Sequence, residues 1–407
     1  MNFKPFIKDI VRPWYKHAHG WVKPLRDEYY LNKILRYAKS NANKTNEDLV
    51  LQTSNFINGC RKSENNYLFY FSNDVRKTTL YSSVYACLAY KELGVLENMS
   101  NSAKYKWCKF FDKYQSPDDG LFYDNTISNP DFDNSDWWGT RHLALHMIAA
   151  YTFLGGQPKY GLKFLNKYKS PLVIKNWIDS IDWEVKSLMS TDVDNKIMNI
   201  GCLLQYERDR TNDVELKNSV RDLQKYLKLK INPKTGMWGN YRTDVARERS
   251  AMVQFAYHLM PIFIYDKDFD FDFEAIAKNV LLTQNKVGGF GYEINSSACE
   301  DIDSIDLLIT CYTFCSVNTQ SAIRTALKKA QYWVLLNKVS DGGFVFRLFQ
   351  SFWYGDHEMR ANIEHSSLFS TWFRLLSLTH IQNFEDNIIK PFEEVGYFTL
   401  GTILPKK

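Results

Sequence analysis

One type of segment recurs six times along this chain, and that recurrence constrains the fold more than any other property of the sequence. Each copy runs from an amphipathic stretch, through a turn ending in an aromatic residue, to a polar stretch that opens an apolar helix. The last of these elements begins near Thr78, Asp136, Ser190, Asp244, Glu300 and Glu364, at intervals of 58, 54, 54, 56 and 64 residues. A period of that length without strand-like alternation holds one helical hairpin. Such hairpins stack side by side because none buries its apolar face alone. Six of them can close into a ring, which needs no capping unit and leaves a hollow at its axis. The expected fold is an all-α (α/α)6 toroid of six inner and six outer helices over residues 46–407, preceded by a short N-terminal arm and first helical extension at 1–45.

The expected outer helices lie at 46–60, 103–114, 159–177, 213–229, 273–284 and 322–336. They carry apolar residues at three- and four-residue spacing, as in Ala326, Ala330, Trp333 and Val334. Glycine-bearing turns follow four of them, as in Val287-Gly288-Gly289-Phe290-Gly291 and Ser340-Asp341-Gly342-Gly343-Phe344. Their role is structural, since none has the lysine of a phosphate-binding loop or a strand before it. The expected inner helices, at 79–93, 141–154, 195–205, 249–260, 303–315 and 366–377, are apolar on most sides. That is the mark of an element buried all round.

Apolar residues make up 45% of the 407, with 11 Trp, 25 Tyr and 27 Phe, enough for one large core. The seven cysteines form no C-x-x-C pair and sit mostly in apolar helical stretches, which reads as buried, reduced thiols in a cytosolic protein. No signal-peptide pattern opens the chain, and its most apolar stretch, 251–265, is too short to span a bilayer. Six basic residues (Lys4, Lys8, Arg12, Lys16, Lys23, Arg26) against Asp9 make the first 26 residues basic, and Phe3, Phe6, Trp14, Tyr15 and Trp21 are interspersed. Such an arm suits weak contact with an anionic membrane surface. The other reading packs it along the outside of the ring, because Pro5, Pro13, Gly20 and Pro24 oppose a continuous helix. No basic stripe crosses the body, so nucleic acid is not an expected partner. A small-molecule substrate is.

A ring of this kind gathers the polar first turns of its inner helices round one mouth. Those turns hold Thr78 and Tyr81; Trp137, Trp138, Arg141 and His142; Asp192 and Asp194; Arg247, Glu248 and Arg249; Glu300, Asp301, Asp303 and Asp306; and Glu364 and His365. Capping explains some of the acids but not four carboxylates in seven residues. Glu300, Asp301 and Asp303 fall within one helical turn, so one of them should keep its proton near neutrality and serve as a general acid. The competing role is a structural cluster pairing with Arg247 and Arg249.

The turn Gln284-Asn285-Lys286-Val287-Gly288-Gly289-Phe290-Gly291, with its preceding helix and acidic sequel, resembles the α/α-toroid superfamily of terpene cyclases and protein prenyltransferase β-subunits. The resemblance covers most of the chain from about residue 46. It implies acid-initiated cyclisation of an isoprenoid or related substrate in the central cavity. Asp303 would be the proton donor, Asp301, Glu300 and His365 would support it, and Arg247 or Arg249 would hold a polar head group. Asp301-Ile302-Asp303-Ser304 departs from the family's Asp-x-Asp-Asp. The prenyltransferase branch would imply zinc on Asp301 and His365, but Asp303 stands where its cysteine ligand should be, and no Asp-Asp-x-x-Asp diphosphate signature for magnesium occurs. No cofactor is expected.

A mouth so rich in charge also suits a carbohydrate-active (α/α)6 enzyme. A glycoside hydrolase would set Asp303 against Asp192 or Asp194. A polysaccharide lyase would use His142, Tyr81 and Arg141. Trp137 and Trp138 would form a wall on which a sugar or a cation stacks. His142 and His146 share one helix face but lack the Glu of a His-Glu-x-x-His metal pair. The Phe352–Glu358 insertion is an expected lid over the mouth. A third reading is a non-catalytic binding scaffold.

Overall fold

The computed structural model describes residues 4–41, 49–63 and 67–385, with side chains from residue 23 onward. Its helices are α1 (Lys4–Asn41), α2 (Leu49–Gly59), α3 (Leu80–Glu92), α4 (Asn101–Phe111), α5 (Thr140–Phe153), α6 (Pro171–Ser180), the single-turn α7 (Val185–Leu188), α8 (Val193–Thr211), α9 (Val214–Lys228), α10 (Ala246–Ile264), α11 (Phe273–Leu281), α12 (Ala298–Cys311), α13 (Val317–Leu336) and α14 (Leu368–Glu385). The inner helices pack in the order α3, α5, α8, α10, α12, α14, and α14 packs back on α3. The ring is closed, as the repeat requires, and the fold is an (α/α)6 toroid.

The outer helices follow from their patterning. In α9, Leu216, Val220, Leu223 and Leu227 form one buried stripe, and the Asp213 carboxylate caps the helix by accepting the N–H groups of Glu215 and Leu216. The inner α3 is buried from Leu80 to Tyr90 without a break. At five of the six outer-to-inner turns the same short antiparallel bridge recurs: Arg61–Phe69, Gln115–Phe122, Ile231–Trp238, Gln284–Phe290 and Lys338–Phe344. Each bridge ends in an aromatic ring that is fully buried between neighbouring hairpins. In the third repeat the expected outer helix at 159–177 is broken into a 3-10 turn, Lys163–Tyr168, and α6. Pro171 disfavours helix in the residue before it and suits the first turn of the helix that follows, so the chain restarts there.

The prolines do not interrupt the N-terminal segment: residues 4–41 form one continuous helix. Pro5 sits in the first turn, where its missing N–H is harmless. Pro13 and Pro24 each forfeit one internal bond. The second half of α1 offsets this by packing on the ring, with Ile34 buried against Trp333, Val339, Val345 and Leu348, and with Arg26 bonded to Glu293 at 2.6 Å. The side chains of Phe3, Phe6, Trp14, Tyr15 and Trp21 lie outside the described residues. Among the described residues no helix is long and apolar enough to cross a membrane. All seven cysteines are free, and all but Cys299 are buried.

Two two-stranded ribbons complete the fold: β1 (Phe69–Tyr70) with β2 (Thr78–Thr79), and β3 (Phe352–Tyr354) with β4 (Asp356–Ala361). The second ribbon is the long insertion, and it is pinned at both flanks. The Asp356 carboxylate accepts the N–H groups of Ser128 and Asn129 at 3.1 and 3.2 Å, and Glu358 accepts those of Arg76 and Lys77. Gly355 turns it with φ +73°, and a Cβ there would lie 2.2 Å from the Trp138 ring. Gly355→Ala should therefore lift the ribbon off Trp138, at a cost on the order of 1–3 kcal/mol. Limited proteolysis cutting first within 352–361 would report it.

Candidate active site in the ring lumen

The acidic start of α12 splits into two parts with different work. Glu300 belongs to the helix cap. Its carboxylate accepts the N–H and hydroxyl of Ser297 at 2.8 Å each, Ser297 caps the Glu300 N–H in return, and Arg347 binds the same oxygen at 2.7 Å. Asp301 is a buried structural hub. It accepts the Phe290 N–H, the Ser296 hydroxyl and the Trp333 indole N–H, each at 2.8 Å, and is ion-paired with Arg374. Both members of that pair have zero side-chain exposure. The Gly-Gly-Phe-Gly turn serves this hub. A Cβ on Gly289 would lie 2.1 Å from the Ser296 Oγ and 2.5 Å from the Trp333 Nε1, the two groups that donate to Asp301.

Asp303 is different. It lies one turn on from Cys299, is 2% exposed, and has no hydrogen-bond partner among the described residues. Burial, and then the carboxylates of Glu300, Asp194, Asp306 and Asp301, push its pKa well above the ordinary carboxylate range. Of the acids at the start of α12, Asp303 is thus the one favoured to keep its proton.

Asp194 lies in the first turn of α8, near enough for its charge to act on Asp303. Its carboxylate is 2.8 Å from His258 Nδ1 on α10, and both side chains keep some solvent exposure, 16% and 18%. Burial works to raise the Asp194 pKa, but the His258 charge and hydrogen bond and the Asn195 contacts outweigh it, so Asp194 stays ionised below the usual range. Two interacting carboxyl groups on α8 and α12 are therefore driven in opposite directions.

The remaining wall is aromatic and imidazole. On α3, the Tyr81 hydroxyl donates to the Gly139 carbonyl at 3.1 Å and lies 3.0 Å from His142 Nδ1, and Tyr85 donates to the Tyr354 hydroxyl at 3.0 Å. Tyr354, from the pinned ribbon, stacks on Phe369 of α14 at 4.7 Å and meets Trp137 edge-on at 5.3 Å. Burial, together with the neighbouring His146 and His258, lowers the His142 pKa well below the usual value, and burial brings His146 to about 4. Both imidazoles are neutral at physiological pH. Trp137, 38% exposed, stands at the mouth, where a pocket of about 570 Å³ also meets Asp192, Asp194, Gln254 and Phe255.

Several expected site residues lie elsewhere. His365, 50% exposed, pairs with Asp74 at 2.8 Å and is not a partner of Asp303. Arg249 donates to the carbonyls of Thr243 and Leu282, and Arg247 is an exposed side chain, so neither pairs with the acidic cluster. Arg141 turns back to Asp136 at 2.6 Å and to the Asn134 carbonyl, apart from the Tyr81–His142 pair. Trp138 is 2% exposed and packs beneath the ribbon, leaving only Trp137 of the two indoles at the mouth. Asp192 accepts the Asp136 N–H at 2.6 Å and ties α8 to the start of α5. Asp301 and His365 do not converge, and among the described residues no group of three or more His, Cys, Asp or Glu side chains gathers as a metal site.

Sequence reasoning missed His258, Tyr85, Tyr354 and Arg374. One signal was present for each imidazole or guanidinium: a lone charged or titratable side chain inside an otherwise apolar inner helix. Arg374 between Phe373 and Leu375 is the clearest case.

No protein-family model matches the chain, and no curated protein does. Among solved structures it is similar to a polysaccharide lyase at 10% identity, with 85% of this chain and 99% of that one covered and a TM-score of 0.47. It is also similar to a GH76 α-mannanase of Bacteroides thetaiotaomicron at 11% identity, covering 86% and 99%, with a TM-score of 0.45. The names of both are those of carbohydrate-active enzymes, and neither is a terpene cyclase or a prenyltransferase β-subunit, so the resemblance to that superfamily is corrected. The physical reason lies in the shared turn: its glycines, aromatic and Asp301 build the junction between hairpins, so the motif marks a stacked ring and carries no isoprenoid chemistry.

Proposed function

We propose that the chain is a carbohydrate-active enzyme that cleaves glycosidic bonds in the ring lumen, with Asp303 as general acid and Asp194 as its carboxylate counterpart. One arrangement carries the reading. Asp303, buried on α12 with no hydrogen-bond partner among the described residues, is pushed toward its protonated form in part by the charge of Asp194 on α8. Asp194 itself is paired with His258 at 2.8 Å and favoured to stay ionised. Glycosidic cleavage needs such a pair, one group to protonate the leaving oxygen and one to activate water or attack the sugar. The exposed ring of Trp137 offers a face for sugar stacking. A lyase using Tyr81, His142 and Arg141 is less well supported, because Arg141 is engaged with Asp136.

The test is incubation of the purified protein with a panel of oligosaccharides, following new reducing ends. Cleavage by the wild type and its loss in both Asp303→Asn and Asp194→Asn are expected. Cleavage that survives either substitution overturns the assignment. His258→Ala removes the partner that lowers the Asp194 pKa, so that pKa rises toward the value set by burial. The acidic limb of the pH–rate profile should shift to higher pH, leaving less activity below neutrality.

A further inference from the structure

Beside the mouth, on the same face of the ring, lies a second and larger hollow of about 1140 Å³. It is bounded by the segment before α7, the turn after α9 and the chain leading into α10. Those strands of chain are tied together where the Asn240 N–H donates to the Trp183 carbonyl at 3.0 Å and the Val185 N–H to the Asn240 carbonyl at 3.3 Å. Four of its lining residues are cationic: Lys186, Lys230, Lys234 and Arg242. Two are acidic, and both carboxylates are turned onto the protein. Glu184 accepts the Asn240 amide at 3.0 Å, and Glu248 accepts the Arg242 N–H at 2.9 Å. Lys230 is shared with Asp179 at 3.2 Å and Arg242 with Glu248 at 3.6 Å, whereas Lys186 and Lys234 have no ion-pair partner among the described residues. The hollow is therefore net positive, with Trp183 and Tyr241 as ring surfaces in its walls.

Its position relative to the lumen gives this charge a purpose. Only the single turn α7 separates it from the mouth pocket. Val185 lines one and Leu188 the other, while Glu248 and Met252, successive turns of α10, divide in the same way. A chain threaded from the mouth over α7 would lie directly in the basic hollow.

We infer that this hollow is a binding site for the anionic stretch of a glycan, carboxylated or sulfated, whose neighbouring sugar occupies the mouth. The inference rests on the glycosidase reading for the direction of the chain but not for the charge of the ligand. Cations at Lys186 and Lys234 would meet the acidic substituents, and Trp183 and Tyr241 would stack on ring faces.

The experiment is affinity electrophoresis and calorimetry of the full chain with an oligogalacturonate, a sulfated heparin oligosaccharide, a neutral mannan oligosaccharide of equal length and a single-stranded oligonucleotide. The anionic glycans should bind about tenfold or more tightly than the neutral one, and the difference should shrink as salt shortens the screening length. Lys186→Glu with Lys234→Glu should abolish the preference. Lys186→Gln with Lys234→Gln should reduce it, and thermal melting of both variants should match the wild type. The stronger of the two anionic glycans identifies carboxylate or sulfate as the recognised group. Equal binding of neutral and anionic glycans, indifference to the charge-reversed pair, or equal binding of the oligonucleotide would overturn the inference. Anionic binding without cleavage of any saccharide would leave the hollow standing and sink the glycosidase reading instead.

Discussion

Asp303→Asn should leave a folded protein whose turnover falls by about 10²- to 10⁴-fold, the usual contribution of a positioned general acid. Burial and the neighbouring carboxylates favour the neutral form of Asp303, so a neutral amide of the same shape should disturb little of its surroundings. The pH dependence of stability gives a readout independent of any substrate. The Asp303 pKa is raised on folding, so its favourable contribution is fully present below the unfolded carboxyl pKa and is lost as pH rises through the folded value. Wild-type stability should therefore fall relative to Asp303→Asn as pH rises through that window. Denaturant midpoints measured across pH would show it, and parallel curves for the two proteins would mean that Asp303 is not the protonated group.

Asp301→Ala, two residues away, should behave in the opposite manner and destabilise the fold by about 3–5 kcal/mol, the expected loss when one partner of a buried ion pair is removed. The substitution strands the Arg374 guanidinium with no exposed surface, and it orphans the Phe290 N–H and the Trp333 indole. Arg374→Met should be milder per group lost, since it leaves a carboxylate that still accepts three other hydrogen bonds. Urea titrations of the two variants would rank them. A stable Asp301→Ala protein would return that residue to the list of reacting groups.

The contrast between these neighbours explains what the sequence could disclose. The ring was legible because its cause is periodic. Six apolar inner stretches and five aromatic-ended turns repeat the same burial problem, and repetition survives drift at single positions. The site was only half legible. Adjacent acids on a helix point in directions roughly 100° apart, so Glu300, Asp301 and Asp303 serve a cap, a junction and the lumen in turn. Their crowding in the sequence suggested one shared function that their geometry denies. His258 and Tyr354 were harder still. One is a single polar residue in the apolar α10, and the other arrives on a ribbon whose course over the mouth is fixed by backbone bonds to Asp356 and Glu358. The prolines of α1 misled for a related reason, because local preference yields when an element has a surface to lie on.

The return of α14 onto α3 has a mechanical corollary. In an open stack the outermost unit has one neighbour and frays first, so unfolding creeps inward from an end. Here every hairpin has two neighbours, and loosening any one of them breaks two interfaces at once. Partial opening is correspondingly disfavoured, and the whole circle should melt as a single cooperative unit, keeping Asp194 and Asp303 in register until the temperature at which all of it lets go.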